Sequence, residues 1–128
     1  MQNKIVIHYA DGRILKGVTG DFAQDRPVFH VTEKDTNKAI EVTVSRLKAV
    51  FFVKDYKGNR AYHEQKNIER KGMGKKITVA FKDGETLVGY TTSYSPNRAH
   101  FFLYPSDPKS NNERVFVVTA STREIIFI

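Results

Sequence analysis

The chain has 128 residues, of which 40% are hydrophobic and 27% charged, so it has room for one ordinary domain or two very small ones and is too apolar for general disorder. No apolar run approaches the roughly 18 residues that span a bilayer, and we expect neither a membrane segment nor a signal peptide. Because cysteine is absent, disulfides, thiol catalysis and cysteine metal sites are excluded, and we expect a cytoplasmic protein.

The basic charge does not select one function. The net charge of +7 is spread along the chain, with a mild concentration in residues 54–74. A nucleic-acid-binding module usually gathers Lys and Arg on one face. The charge therefore permits nucleic-acid binding without requiring it.

The first 53 residues predict five short strands. Ile5–Tyr9 is a β-branched and aromatic run followed by Asp11 and Gly12, a strong hairpin signal. The next run, Ile14–Phe22, contains Gly17, and a glycine inside a strand predicts a bulge or a bend. The remaining strands are predicted over Val28–Thr32, Ala39–Val44 and Ala49–Val53, with a single 3₁₀ turn over Ser45–Leu47.

The chain also repeats itself. Lys4–Gly17 matches Lys76–Gly89 at an offset of 72, and 28 consecutive pairs from Lys4 onward carry nine identities. Further on, Ser45–Phe51 aligns with Ser121–Phe127 at an offset of 76. This alignment predicts four extra residues in the second copy, within Pro105–Asn112. We therefore predict a tandem duplication.

The second copy predicts the same elements as the first. A bent second strand and a 3₁₀ turn before the last of five strands are typical of a small barrel of the SH3 or Sm type. The expected fold is thus all-β, a tandem duplication of a five-stranded SH3/Sm-like small barrel. The predicted strands of the second copy are Ile77–Phe81, Thr86–Tyr94, His100–Tyr104, Arg114–Thr119 and Glu124–Ile128, with a 3₁₀ turn over Ser121–Arg123.

The predicted organisation is a first barrel over residues 1–53, a basic polar linker over residues 54–74 and a second barrel over residues 75–128. Within the linker, Ala61–Arg70 is a candidate for one or two helical turns. Both last strands are apolar at successive positions, so both of their faces should be covered. We expect the two copies to pack together, or the chain to self-associate through an exposed strand edge.

Enzyme signatures are absent from the sequence. There is no nucleotide-binding glycine loop before a helix, no HExxH motif and no nucleophile elbow. The four histidines share neither a repeat position nor a metal-ligand spacing, and no carboxylate pair suggests acid–base chemistry. We therefore expect no enzyme, no cofactor and no metal site.

Two sets of residues are candidate ligand or partner contacts. Arg26 recurs as Arg98, beside Asn97, in the turn after the second strand, where a guanidinium could bind phosphate or simply cap its own turn. The second set lies in or beside the extended loop of the second copy, where it could read a base, hold a partner peptide or only shape the loop. Its members are Tyr104, Asn111, Asn112 and Arg114.

The linker region supplies candidate basic contacts. Basic side chains interleaved with aromatic residues such as Tyr56 and Tyr62 are compatible with single-stranded nucleic acid. The alternative is a solvated linker with no ligand. The candidates are Lys66, Arg70, Lys71, Lys75 and Lys76.

The pattern that runs from Ile5 through Gly12 and Gly17 to Phe22 resembles the first Sm motif of Sm, Lsm and Hfq-type proteins. The second copy shows the same pattern from Val79 to Tyr94. The resemblance implies an Sm-like barrel and, as an expectation, RNA binding.

The whole chain resembles uncharacterised bacterial proteins built from two small barrels, through Leu47–Asp55 and Ser110–Val118. That resemblance implies the architecture and no activity. The function expected from the sequence is a non-enzymatic binding or adaptor module that engages a protein partner through barrel loops and strand edges. The alternative is an RNA- or single-stranded nucleic-acid-binding Sm-like protein, whereas a small-molecule sensor has little support from the residues.

Overall fold

The computed structural model describes residues 3–58 and 62–128, which form an all-β structure. Short 3₁₀ turns, Val44–Arg46 and Thr119–Ser121, precede the fifth and tenth strands, and the described residues contain no helix long and apolar enough to cross a bilayer. The strands are β1 (Asn3–Tyr9), β2 (Ile14–Thr19), β3 (Val28–Glu33), β4 (Ala39–Thr43), β5 (Leu47–Val53), β6 (Lys75–Phe81), β7 (Thr86–Thr91), β8 (His100–Pro105), β9 (Asn112–Val118) and β10 (Thr122–Phe127).

All ten strands belong to one open antiparallel sheet, in the order β10-β6-β7-β8-β9-β5-β1-β2-β3-β4. We call β1–β5 the N-terminal half and β6–β10 the C-terminal half. The two halves have the same internal order, with the fifth strand of each beside its first. They are joined where β5 pairs with β9, and among the described strands β4 and β10 form the outer edges of the sheet.

Two hydrophobic clusters fill the interior, and each half contributes to both. The first cluster is the core of the N-terminal half, completed by Phe102, Phe116 and Val118 from β8 and β9. The second cluster is the core of the C-terminal half, and residues of β1 and β5 complete it. Side chains alternate across a strand, so Val50 and Phe52 enter the first cluster while their neighbours on β5 enter the second.

Glycine is required where the second strand of each half meets the third. A Cβ at Gly17 would lie 2.3 Å from the carbonyl oxygen of Thr32, and a Cβ at Gly89 would lie 2.3 Å from that of Tyr104. Real Cβ atoms do not approach a backbone oxygen so closely. The sequence predicted a bulge or a bend at these glycines, and the close approach of the neighbouring strand is the reason that no side chain fits.

The offset of 76 predicted for the fifth strands is wrong by one residue. His8 on β1 pairs with Ala49, and the corresponding Ala80 on β6 pairs with Glu124. His8 and Ala80 differ by 72 in residue number, whereas their partners Ala49 and Glu124 differ by 75. The C-terminal half therefore carries three extra residues rather than four. A slip of one residue changes the face of every side chain, and Phe52 therefore corresponds to Phe127 instead of Ile128.

The helical turns predicted within Ala61–Arg70 are also wrong. Ala61 lies outside the described residues, and residues 62–70 form only a turn at 66–67. Backbone N–H groups that a helix would use bond to the C-terminal half, since Gln65 N donates to Asp107 Oδ2 (2.9 Å) and Arg70 N donates to the Tyr90 hydroxyl (3.2 Å). These tertiary hydrogen bonds replace the helix.

Candidate partner-binding site

The outer edge formed by β10 is the most exposed apolar surface of the described chain. Ile126, Phe127 and Ile128, which we call the β10 edge, are 51%, 50% and 72% exposed. The corresponding β5 residues Phe51, Phe52 and Val53 are all buried. The difference follows from the neighbours: β5 lies between β1 and β9, whereas β10 pairs only with β6 among the described strands.

A recess lies beside this edge. Its volume is about 380 Å³, and its wall includes Lys75, Thr91, Tyr94 and Phe127. The Lys75 ammonium lies 5.6 Å from the centroid of the Phe127 ring, and the Tyr94 and Phe127 centroids are 5.7 Å apart. The β10 edge thus offers a strand border, two aromatic rings and a cation in one place.

A second groove lies beside the 3₁₀ turns and is lined by residues of both halves. Its volume is about 520 Å³, and its walls include Arg26 and Val44 from the N-terminal half and His100 and Val118 from the C-terminal half. Arg26 Nη1 donates to the backbone oxygen of Asp21 (3.1 Å). Arg26 therefore braces its own turn, which was the alternative to phosphate binding, and it also faces the groove.

The other members of the first predicted set are Arg98 and Asn97, both exposed in the β7–β8 turn. Burial, and then the charge of Arg98, lower the pKa of His100. Arg26 lines the groove together with His100, whereas Arg98 occupies the corresponding turn of the C-terminal half. The two arginines are thus not placed together in one site.

The extended loop of the C-terminal half is tied to the end of β5. Asn111 Nδ2 donates to the Asp55 oxygen (2.9 Å), and Asn111 Oδ1 accepts from Asp55 N (3.0 Å). The amide therefore imitates a peptide group and extends the β5·β9 ladder. Its neighbour Asn112 pairs with Val53 and donates its N–H to Ser110 Oγ (3.1 Å).

The aromatic and basic members of that set are also held internally. The Arg114 guanidinium lies 4.3 Å above the Phe52 ring and 4.8 Å above the Phe102 ring, a cation–π arrangement that covers the first cluster. Tyr104 is half-buried and packs against the same cluster. The structure therefore uses the predicted loop residues to join the halves, and it does not gather them with Arg26 in one site.

The predicted basic linker contacts are dispersed. Lys66 and Lys71 are exposed, while Arg70 Nη1 donates to the Pro105 oxygen (3.0 Å). Adjacent strand residues point to opposite faces, and accordingly Lys75 lies over Phe127 whereas Lys76 lies over Tyr90 at 6.0 Å. These cations do not form a single basic face.

Sequence reasoning missed Lys48, which fastens the two halves together. This lysine is 7% exposed, and its ammonium lies 2.7 Å from Asp83 Oδ2, contacts Glu85 Oε1 and lies over the Phe81 ring. Burial alone would lower the pKa of Lys48, but the hydrogen bonds to Asp83 and Glu85 outweigh burial and raise it. A lysine in the apolar segment LKAVFFV was the only sequence signal.

Two other carboxylates, Asp21 and Asp107, accept hydrogen bonds from side chains of the same chain. Asp21 accepts hydrogen bonds from the His30 backbone N–H (2.9 Å) and from His30 Nδ1 (2.8 Å), which lower the pKa of Asp21. A hydrogen bond to Asp107 raises the pKa of Tyr62 to about 12. Within residues 3–58 and 62–128, no group of three or more His, Asp or Glu side chains is placed to hold a metal ion.

A family profile described as "Family of unknown function (DUF6982)" matches residues 1–128. The chain belongs to this family. Comparison with curated proteins gave no match, and neither did comparison with solved structures. The resemblance to proteins of unknown function is thus confirmed, and function has to be argued from the geometry.

Proposed function

We propose that this member of the DUF6982 family is a non-enzymatic binding module that engages a polypeptide partner by strand addition at the β10 edge. The observation that carries the proposal is the exposure of Ile126, Phe127 and Ile128 on a strand that has one described neighbour. An edge strand presents unpaired backbone N–H and C=O groups that another strand can take up. Side chains of the added strand would pack on the three apolar residues, and the recess beside Phe127 would accept one of them.

The architecture that we propose behind this function is a tandem duplication of an SH3/Sm-like small barrel, in a cytoplasmic bacterial protein. The equal strand order of the two halves supports it. So do the matching irregularities, because β5 bulges at Lys48 and β10 bulges at Arg123. The absence of cysteine supports the cytoplasmic location.

The charged groups support a role without catalysis. A general acid or base needs a pKa near the working pH, but hydrogen bonds from His30, Lys48 and Tyr62 lower the pKa of Asp21, Asp83 and Asp107, respectively. These carboxylates are internal acceptors. Their partners stabilise the fold and leave them poorly suited to donate a proton.

Selection of phage-displayed random peptides on the immobilised protein tests strand addition. Ile126→Lys places a charge on the β10 edge, and Ile14→Lys is a matched control, since Ile14 is a β2 residue that is 56% exposed. We expect selected peptides to bind the wild type and Ile14→Lys equally and to lose at least about tenfold in affinity for Ile126→Lys. Failure to enrich any peptide, or equal binding to all three proteins, would overturn the proposal.

A second candidate function is binding of RNA or single-stranded DNA. It is supported by the net charge of +7 and by the lysines that lie over Phe127 and Tyr90, since bases stack on aromatic rings beside cations. Fluorescence anisotropy with short labelled RNA and DNA at several salt concentrations tests it. Salt-sensitive binding that is lost in the Lys75→Ala/Lys76→Ala double variant would favour this function, whereas no binding at low salt would eliminate it.

A further inference from the structure

We infer that the partner of the β10 edge is the β4 edge of a second copy of this chain, so that chains join head to tail. The inference rests on the proposed function, because it names the occupant of the same edge. Its template is within the molecule: β5 of the N-terminal half pairs with β9 of the C-terminal half. β10 corresponds to β5, and β4 corresponds to β9.

The two outer strands of the sheet, β10 and β4, correspond to the two strands that pair at its centre, β5 and β9. Among the described strands, β10 pairs only with β6 and β4 only with β3. A junction that uses two different surfaces leaves one of each unused, and successive copies then continue into a ring or a filament. Each chain therefore carries, as its two outer strands, counterparts of the two strands that already pair at its centre.

The template fixes the register between chains. In the centre of the sheet, Phe51 is opposite Val115 and Phe52 is opposite Arg114. The offset of 75 holds for the fourth strands as well, because Phe29 pairs with Val42 and Phe101 pairs with Val117. Adding 75 to the residue numbers of β5 gives the corresponding residues of β10, and subtracting 75 from those of β9 gives the corresponding residues of β4. The pairs of the central junction then predict the pairs between chains. Ile126 lies opposite Ile40, and Phe127 lies opposite Ala39.

The charges of the central junction are partly preserved. Lys48 occupies the bulge of β5 and binds Asp83 in the β6–β7 hairpin. The corresponding residues are Arg123, which is exposed in the bulge of β10, and Asp11, which is exposed in the β1–β2 hairpin. Arg123 of one chain would therefore meet Asp11 of the next. Arg13 replaces the second carboxylate, Glu85, and its guanidinium binds Asp11 within the same chain (2.9 Å). Arg123 would therefore share Asp11 with Arg13, and only one of the two ion pairs of the central junction is retained.

The junction between chains is expected to be weaker than the central one. Glu41 on β4 replaces the buried Phe116, and His30 on β3 replaces Phe102. Two aromatic rings of the first cluster therefore have no counterpart between chains. A polar residue on an edge strand also limits uncontrolled pairing. We expect assembly to be reversible and to depend on protein concentration.

Engineered cysteines test the register directly, because the natural chain has none. An equimolar mixture of the single variants Ile126→Cys and Ile40→Cys, one of them carrying a size tag, is oxidised with copper phenanthroline and separated on a non-reducing gel. We expect a disulfide between the two species, since residues opposite each other in a ladder have Cβ atoms within disulfide range. Lys38→Cys in place of Ile40→Cys is the control, two residues out of register.

A second pair of cysteine variants is needed because opposite residues in an antiparallel ladder alternate between hydrogen-bonded pairs and closer non-hydrogen-bonded pairs. Phe127→Cys with Ala39→Cys is the neighbouring predicted pair, and we expect at least one of the two mixtures to link about tenfold faster than the control. Dimers formed by Ile126→Cys alone would show that two β10 edges pair with each other and would overturn head-to-tail assembly. Equal linking in all mixtures, or none, would overturn it too.

Sedimentation velocity of the wild type over a range of concentrations completes the test. Head-to-tail assembly predicts a sedimentation coefficient that rises with concentration and falls back to the monomer value in Ile126→Lys. If the wild type remains a monomer at its highest soluble concentration while selected peptides still require Ile126, self-assembly is overturned and strand addition stands. If peptides bind but ignore Ile126→Lys, the proposed function itself fails.

Discussion

The strands β5 and β10 hold corresponding positions, yet one is the most buried strand and the other the most exposed. All seven residues of β5 are buried, whereas no residue of β10 is fully buried. Both strands pair with the first strand of their half and bulge at the same point. The neighbour on the other side differs, since β9 covers β5, and β10 also carries Glu124 where β5 has Ala49. The apolar residues that the two strands share are therefore buried only where a neighbouring strand covers them.

The largest expected effect comes from truncating the same residue in both halves. Phe52 is 2% exposed and contacts Phe22, Phe102 and Arg114, so Phe52→Ala should lower the free energy of unfolding by about 3–5 kcal/mol. Phe127→Ala should cost less than about 1 kcal/mol in the monomer, because half of that side chain is already exposed. Urea denaturation of dilute protein measures both, and equal losses would contradict the comparison.

A smaller loss of stability is expected at the glycines Gly17 and Gly89, which make the same close contact in both halves. Gly17→Ala places a methyl group against the Thr32 carbonyl, and Gly89→Ala does the same at Tyr104. Each should lose about 1–3 kcal/mol, because a backbone strand has to move. Gly12→Ala is the control: its φ of 98° strains alanine, but the space around it is open, so about 1 kcal/mol is expected. Chemical denaturation decides, and tolerance of Gly17→Ala would contradict the close approach.

The ion pairs of the buried Lys48 should also distinguish the N-terminal half from the C-terminal half. Lys48→Met keeps the aliphatic stem but removes the charge that Asp83 and Glu85 bind. Because both carboxylates are half exposed, we expect a loss of only about 1–2 kcal/mol. Arg123→Met, the corresponding change on β10, should stay within about 0.5 kcal/mol in dilute protein. A matching loss in both variants would show that Lys48 is not special to the central junction.

The smallest expected effect is the pH dependence of the stability that Lys48 contributes through its ion pairs. The Lys48 hydrogen bond lowers the pKa of Asp83, so this contribution is present above about pH 4 and is lost as the pH falls through the lowered value. The pKa of Lys48 is raised, so its contribution is present below about pH 10.5 and is lost as the pH rises through the raised value.

The stability difference between wild type and Lys48→Met should therefore be constant from about pH 5 to pH 9 and shrink at both extremes. Urea midpoints across this range measure it, with Arg123→Met as the reference. A difference that already changes near neutral pH would assign the effect to another group, such as His8, whose pKa burial lowers.

The all-β class, the strands and the hairpins could be predicted from the sequence because their signals are local, whereas the joining of all ten strands into one open sheet was not predicted. Alternating β-branched residues located the strands, and the Asp-Gly pairs located the hairpins, where Gly12 and Gly84 have φ near 98°. The one-residue error in the fifth strands arose because a similarity of Ser45 to Ser121 was taken as register. Register is set by the partner strand, through pairs such as Ala80 with Glu124.

The candidate site was harder to predict for the same reason. Asn111 was a candidate ligand or partner contact, with shaping of the loop as the alternative, and its amide bonds to Asp55, 56 residues away. Lys48 was not singled out because its partners belong to a hairpin of the other half. The apolar runs of β5 and β10 do not indicate which strand receives β9; the difference in the sequence is Glu124 on β10 in place of Ala49, which pairs with Val117. Contacts between distant segments decided which apolar strand was left open.

The position of β9 has a consequence for how the chain folds during synthesis. The core of the N-terminal half is finished only by Phe102, Phe116 and Val118, which leave the ribosome after most of the chain has been made. The first five strands therefore cannot reach their final stability as an independent early domain, although their own order is complete. Ladders between residues so far apart in sequence are slow to form, so we expect a single late, cooperative folding step for the whole chain.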